Sequence, residues 1–382
     1  MNSRFLHRFK LTADKVAVSA AGIISFFLYR RRGRGDVAKN TGHVRLLSIE
    51  IGGLGDLTRI TSFRELLRAA HPENSLTVVT HRRNSDFFQW APTPDSLIYF
   101  DPSHRSFWGK ILFFLRLQCS APFDVVADFT GSYFSAWITA LSGAGLSAGS
   151  PREGFSLFYT NPVQRYRDRP LAEHYADLLR SLDVPGIPVF PGTAPRSSPG
   201  TPFISGDHLP KVVIHPGSGW PGRRWPKGRW IELIHELSEK NGVEIVVTGG
   251  PKERELAEQV AAAGKDVKNL SGRLSFIELA HLLEVADLFI SANVGPMHLA
   301  RAVGCPTVTL FGPYSHIETG YPDDKTHTAV LRHLPCSPCG TYTEMPVCSH
   351  FSCLNGIIVN EVLTAALAAL RKQGGSRMVA KR

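Results

Sequence analysis

A chain of 382 residues with 43% hydrophobic and 20% charged residues has the composition of a soluble globular protein, and its length suits two domains. Its net charge of +10 points to nucleic acid only until it is located: residues 1–40 hold nine Lys/Arg against Asp14 and Asp36, a net of +7, which leaves about +3 for the rest. A body so nearly balanced, with no aromatic-basic surface pattern, speaks against a nucleic-acid protein. Six cysteines in so long a chain speak against a secreted disulfide scaffold.

Within residues 1–40, Val16 to Tyr29 is a mostly apolar run of 14 residues with basic residues on both sides. A spanning helix needs roughly 20 apolar residues, so this run falls short. Arg30, Arg31 and Arg32 follow it where a signal peptide would have a small-residue cleavage site. The expectation is an interfacial helix with Phe26, Phe27 and Leu28 in the acyl boundary and the arginines on anionic headgroups. A helix packed on the body, or an unstructured tail, is the plainer alternative.

Val44 to Ile51 predicts the first strand, and it runs into Gly52-Gly53-Leu54-Gly55-Asp56. A helix follows to about Ala70, since Ile60, Phe63, Leu66 and Leu67 share a face. Strands are expected at Leu76–Thr80, Ser96–Phe100 and Asp124–Asp128, with a helix over Phe107–Leu117. Alternating strand and helix means a doubly wound parallel sheet. Asp56 ends the first strand-turn, where a carboxylate would face a ligand cleft. A helix N-terminus also favours an acid, so a capping role stands beside the functional one. The Pro/Gly/Ser-rich stretch from Pro185 to Pro210 marks the break between domains.

The second half opens on Val212-Val213-Ile214, a β-branched run ended by His215-Pro216-Gly217-Ser218-Gly219. A helix with Trp230, Ile231, Leu233, Ile234 and Leu237 on one face leads to a second run, Val243 to Val247, closed by Thr248-Gly249-Gly250. Such a β-loop-α-β unit joins parallel neighbours by a right-handed crossover and binds ligands at the carboxyl ends of its strands. Backbone N–H groups at Gly217, Ser218 and Gly219, with Arg223 and Arg224, suit a phosphate or diphosphate. A solvated glycine-proline turn is the bland reading of the same loop. Further on, a helix is expected from Pro251 to Ala263, another over Phe276–Leu283, and a strand over Ala286–Ser291. Then come the turn Asn293-Val294-Gly295-Pro296-Met297-His298, a helix to Val303 and the strand Thr307–Phe311. His298 in that first turn reads as structural or catalytic.

Cys119 and Cys305 lie in apolar surroundings and read as core residues. The other four cysteines have the spacing Cys336-x2-Cys339-x8-Cys348-x4-Cys353. That pattern is open between a structural zinc site, a dithiol and disulfides.

Taken together, Ile51 to Asp56, His215 to Ser218 with Arg224-Trp225-Pro226, Thr248 to Pro251 with Glu253, Leu270-Ser271-Gly272, Gly295 to Ala300 and Leu310 to Pro313 resemble glycosyltransferase family 9 over roughly residues 44–372. These are the lipopolysaccharide heptosyltransferase-like enzymes. The resemblance implies a GT-B fold: α/β, two Rossmann-like doubly wound domains facing a central cleft. Together with the reading of the N-terminal segment and the Pro-rich stretch, it divides the chain into a membrane-associating segment (1–40), an acceptor-binding domain (41–190), a Pro-rich linker (191–210), a nucleotide-sugar-binding domain with the cysteine cluster (211–355) and a C-terminal helix with a basic tail (356–382). It implies an inverting transfer of a sugar, by default heptose from ADP-heptose, to a lipopolysaccharide-core or related glycolipid, with no cofactor required. Asp56 matches the general base. Gly217, Ser218, Arg223 and Arg224 match loop positions at the donor phosphates, and Glu253 an acid that binds the ribose. Leu274 falls where the base docks, and Asn293, Val294, Gly295 and His298 lie in the turn facing the diphosphate-sugar. The partners so implied are a nucleotide-sugar, a glycolipid and the cytoplasmic face of the inner membrane, and not nucleic acid.

The chain departs from the family pattern at three places. Arg223 stands for the usual Lys, Asn293-Val294 for an Asp-Ser or Asp-Thr pair, and Glu50 where Arg is common. Two rival functions share this architecture: a nucleotide-sugar 2-epimerase, and a non-catalytic sugar-nucleotide-binding protein.

Overall fold

The computed structural model describes residues 44–69, 75–91, 94–101, scattered positions from 109 to 120, 123–151, 154–166, 168–183, 209–240, 242–322, 324–340, 348 and 350–380. The basic N-terminal segment, most of the Pro-rich linker and Cys119 lie outside these residues.

Two six-stranded sheets carry the fold. The first comprises β1 (Arg45–Glu50), β2 (Ser75–His81), β3 (Ser96–Phe100), β4 (Val125–Asp128), β5 (Leu146–Gly149) and β6 (Asn161–Pro162), in the order β3-β2-β1-β4-β5-β6. The second comprises β7 (Lys211–His215), β8 (Glu244–Val247), β9 (Lys268–Asn269), β10 (Leu288–Ala292), β11 (Thr307–Phe311) and β12 (His327–Leu331), in the order β12-β11-β10-β7-β8-β9. The named strand pairs are parallel throughout. Numbered from its own first strand, each sheet has the same order, 3-2-1-4-5-6. This is the Rossmann arrangement, with its switch point between the first and fourth strands. The chain has the two-domain α/β architecture of the GT-B enzymes.

The strands form where the sequence is β-branched and apolar. Val212, Val213 and Ile214 in β7, and Leu288, Phe289 and Ile290 in β10, are fully buried. Continuous apolar runs are what a parallel sheet covered on both faces requires. Ser275 caps the helix Phe276–Glu284 by accepting from the Glu278 amide, and Glu278 reaches back to the Ser275 amide at 2.7 Å. Val359, Val362, Ala366 and Ala369 of the C-terminal helix Val359–Ala380 pack into the second sheet's core with Trp225 and Trp230. Among the described residues no helix is long and apolar enough to cross a membrane.

The two units share one buried cluster. Leu57, Ile60 and Phe63 of the helix Leu54–Ala69 belong to it, as do Met297, Leu299 and Ala300 of the helix Gly295–Ala302. A second aromatic contact joins Phe87 and Trp90 of the first unit to Phe276 of the second, with ring centres 5.4 and 5.6 Å apart. These contacts bring the carboxyl ends of both switch-point strands to one interface.

Candidate functional site

The loop after β7 is built around His215 and Glu253. His215 Nδ1 lies 3.2 Å from Thr248 Oγ1, and its Nε2 lies 3.4 Å from Glu253 Oε2. The Gly250 amide donates to the same carboxylate oxygen at 2.8 Å. Burial pushes the Glu253 carboxyl up, but the bond and charge of His215, the Gly250 amide and Arg224 outweigh it and hold it below the usual range. Glu253 is therefore an ionised acceptor at neutral pH. A glycine is needed opposite it, because a Cβ on Gly217 would lie 2.3 Å from the Glu253 carboxyl carbon.

Arg224 is exposed and serves the loop itself, its Nε donating to the Ser218 carbonyl at 2.7 Å. Arg223 turns the other way. Its guanidinium lies over the Tyr314 ring at 4.2 Å and over Trp220 at 5.5 Å, which fixes its plane by cation–π contact.

These residues open on a cleft of about 580 Å³, within the size range of small-ligand sites. Of the residues singled out from the sequence, Gly217, Ser218, Arg223, Glu253, Leu274, Val294 and Gly295 line it. The lining is divided by chemistry. Arg223 and the glycine-rich loop offer a cation and backbone donors, Glu253 offers an acceptor for hydroxyls, and Leu274, Phe276 and Leu279 offer an apolar wall. A phosphate, a diol and a flat base are met in turn by such a surface.

Arg224, Asn293 and His298 are not in that lining. Asn293 is buried, and its Nδ2 donates to Thr319 Oγ1 at 2.8 Å. His298 is buried between the two units with Nδ1 2.8 Å from the Tyr321 hydroxyl. Burial first, then the charges of Arg59, Arg223, His327 and Arg301, hold its imidazole well below its ordinary pKa, so it is neutral at pH 7.

Asp56 sits in the first turn of the helix Leu54–Ala69. Its Oδ2 accepts from the Gly53 amide at 2.9 Å, so the capping role is real. Its Oδ1 accepts from Arg59 Nη2 at 3.1 Å. Asp56 is not itself in the cleft lining, but Leu54 of the same turn is. The next residue, Gly55, packs against Gly295 and His298. The turn that carries Asp56 therefore meets the turn that closes the cleft. Glu50, one of the departures, is fully buried and pairs with Arg64 at 2.7 Å.

Sequence reasoning missed Arg83 and Asp86, which reach the cleft from the first unit. Both follow the carboxyl end of β2, a position that the strand-end rule itself marks. It also missed Arg59, whose spacing of three from Asp56 on a helix places the two side chains together.

The four clustered cysteines carry no disulfide. Burial, then the neighbouring Cys348 and Cys336, raise the pKa of Cys339, so these thiols share one neighbourhood. Among the described residues, however, no three His, Cys, Asp or Glu side chains form a group that could hold a metal ion.

Known proteins share both this sequence and this fold. The family model for glycosyltransferase family 9 (heptosyltransferase) matches residues 114–348. Lipopolysaccharide heptosyltransferase 1 of Pseudomonas aeruginosa is 31% identical over 78% of this chain and 86% of its own. The glycosyltransferase family 9 structure from Veillonella parvula superposes with a TM-score of 0.70 at 21% identity, over 86% of this chain and 97% of its own. The ADP-heptose lipopolysaccharide heptosyltransferase II of E. coli does so with a TM-score of 0.68 at 19% identity, over 87% and 100%. A family match across more than half the chain, on a fold whose cleft faces a glycine-aspartate turn, settles the class: this protein belongs to glycosyltransferase family 9 and is a glycosyltransferase.

Proposed function

We propose that the protein transfers heptose from ADP-heptose to a lipopolysaccharide-core glycolipid, with inversion at the anomeric carbon. The carrying observation is the meeting of Gly55 with Gly295, which sets the Asp56 turn of one unit against the diphosphate-type cleft of the other. Two of the relatives named above, the Pseudomonas aeruginosa and E. coli lipopolysaccharide heptosyltransferases, support this choice of sugar and acceptor class. The 2-epimerase alternative is not favoured, since the family match is to transferases.

In the step so assigned, an Asp56 carboxylate oxygen takes the proton of the acceptor hydroxyl. The freed oxygen forms the new bond to the anomeric carbon, and the bond from that carbon to the diphosphate oxygen breaks. The leaving ADP keeps the electron pair, and Arg223 with the Gly217-Ser218 amides stabilises its charge. Glu253 holds the ribose, and Leu274 lies beside the base. Val294 and Gly295 shape the sugar end, with Asn293 and His298 supporting that turn from behind and Arg224 bracing the loop. The reaction so written uses no cofactor. Residues 1–40 hold the enzyme on the cytoplasmic face of the inner membrane, where the glycolipid is presented.

The Asp56→Asn variant tests the reading. Asn keeps the size and much of the hydrogen bonding but cannot take a proton, so turnover should fall 10²–10⁴-fold while donor affinity stays within a few-fold. Asn is also a good helix cap, so a purely capping Asp56 predicts near-full activity. That result would remove the base assignment. Deleting residues 1–35 should release the protein from anionic vesicles without loss of transfer to a soluble acceptor. A truncated form that still pellets with vesicles would remove the anchor assignment.

A further inference from the structure

Asp56 is held from two sides, and only one of them is explained by helix capping. The Gly53 amide caps the turn through Oδ2; Arg59 Nη2 engages Oδ1 at 3.1 Å. The side chains of Arg59 and Asp56 are 8% and 19% exposed, so the pair is largely shielded from water, where charge attraction is stronger than on the surface. Arg59 does not line the 580 Å³ cleft. It lines a water-sized cavity between the two units, together with His298, Arg301, Glu318 and Tyr321. Its contact is thus with Asp56 and not with the cleft.

We propose that Arg59 is a positioning residue for the transfer: its hydrogen bond fixes the Asp56 carboxylate in one orientation. The proposal rests on the reading of Asp56 as the base. Tyr175 of the helix Leu171–Arg180 and Tyr321 are within electrostatic reach of both members of the pair, and His298 of the helix Gly295–Ala302 is within reach of Arg59. Glu50 is paired with Arg64, Arg301 with Asp324 and Arg165 with Glu318. The cation hydrogen-bonded to Asp56 is Arg59.

The test is the split between kcat and donor KM for the full chain with ADP-heptose and a glycolipid acceptor. Arg59→Met, which fills the space but cannot donate to the carboxylate, should lower kcat by about 10-fold or more, since a displacement of about 1 Å at the reacting groups can cost 10²-fold in rate. Donor KM should stay within about two-fold, because Arg59 is not in the cleft. Arg59→Lys, which can still donate to Asp56, should recover part of the lost kcat. If the Met variant does not fold, the same split in Arg59→Gln decides the matter. A merely structural Arg59 would lower the thermal midpoint and leave kcat per folded molecule unchanged. Wild-type kcat in folded Arg59→Met, with Asp56→Asn inactive, overturns the role of Arg59 alone. An active Asp56→Asn overturns the base reading and this proposal with it.

Discussion

Gly55 lies so close to Gly295 that a Cβ on Gly55 would come within 2.8 Å of the Gly295 Cα, and within 2.7 Å of His298 Cδ2. Real Cβ atoms do not sit so near backbone, so Gly55→Ala must push the two units apart at this point. Forced overpacking of this kind costs about 1–3 kcal/mol. The larger effect should be on chemistry, because a displacement of about 1 Å at the reacting groups can cost 10²-fold in rate. Thermal unfolding and steady-state kinetics of Gly55→Ala check this. Wild-type kcat would show that the Asp56 turn and the cleft need not be in register.

Arg223 offers a second test, at the other end of the site. Its plane is set by Tyr314 and Trp220, and it lines the cleft. Arg223→Ala should weaken ADP binding by about 1.5–3 kcal/mol, the range for charge-assisted hydrogen bonds. Arg223→Lys should lose less, since it keeps the charge but not the planar fork or the ring stacking. Calorimetric titration with ADP reads both, and unchanged affinity in the Ala variant removes Arg223 from the phosphate site.

A third contact holds the units together away from the chemistry. Arg165, just after β6, reaches Glu318 Oε1 with Nη2 at 2.7 Å and Nε at 3.1 Å, and the Glu318 side chain is only 4% exposed. Truncating Arg165 to Ala leaves a carboxylate buried without this partner. Breaking a buried pair costs about 3–5 kcal/mol, and the partial exposure of Arg165 brings the expectation to roughly 2–3 kcal/mol. The double change Arg165→Met with Glu318→Met should cost less than Arg165→Ala alone. Chemical denaturation of the three proteins decides; equal losses for the single and double variants would contradict the argument.

The cysteines invite a compositional test. If Cys336, Cys339, Cys348 and Cys353 hold a structural zinc, the purified protein should carry about one zinc per chain, and Cys336→Ser should lose the metal along with thermal stability. Elemental analysis without metal would remove the zinc assignment, and a mass lower by one or two pairs of hydrogen atoms would show that these thiols, free in the structure, oxidise to disulfides in the purified protein.

The core of the architecture was legible because its strongest strands are apolar runs rich in β-branched or aromatic residues. Ser96–Phe100 and Thr307–Phe311 fall where the periodicity places them, and the β7–helix–β8 unit is bounded to within a few residues. The weak strands were not legible. β5 is Leu-Ser-Ala-Gly, without a β-branched residue, and β6 and β9 are two residues each, held by pairing to distant neighbours. For the same reason the sequence could mark Gly55, Asp56, Gly295 and His298 separately but not their meeting. No local signal encodes a contact between residues more than two hundred positions apart. The expected role of His298 at the diphosphate-sugar turn also depended on which way its ring points, and it lies against Tyr321 between the units.

Buried neutral histidines give the fold a pH dependence whose sign can be worked out. His174 is 7% exposed, and burial first, then Arg165 and Arg169 against an opposing pull from Asp177, bring its pKa down from 6.5 to about 4. In the unfolded chain the same imidazole takes up a proton near 6.5. Between those values the unfolded state binds more protons than the native one, so stability rises with pH. The contribution is flat above the unfolded value and is lost progressively as pH falls towards 4. At about pH 5 the loss for His174 alone approaches roughly 2 kcal/mol, taking 1.36 kcal/mol per unit. His298 is shifted in the same direction and adds to the slope. Urea denaturation at about pH 7.5 and about pH 5 should therefore show a clear fall for the wild-type protein. His174→Gln, which cannot take a proton, should fall by less over the same window. An identical fall in both proteins would mean that His174 is already protonated in the native state or does not differ from it in the unfolded chain.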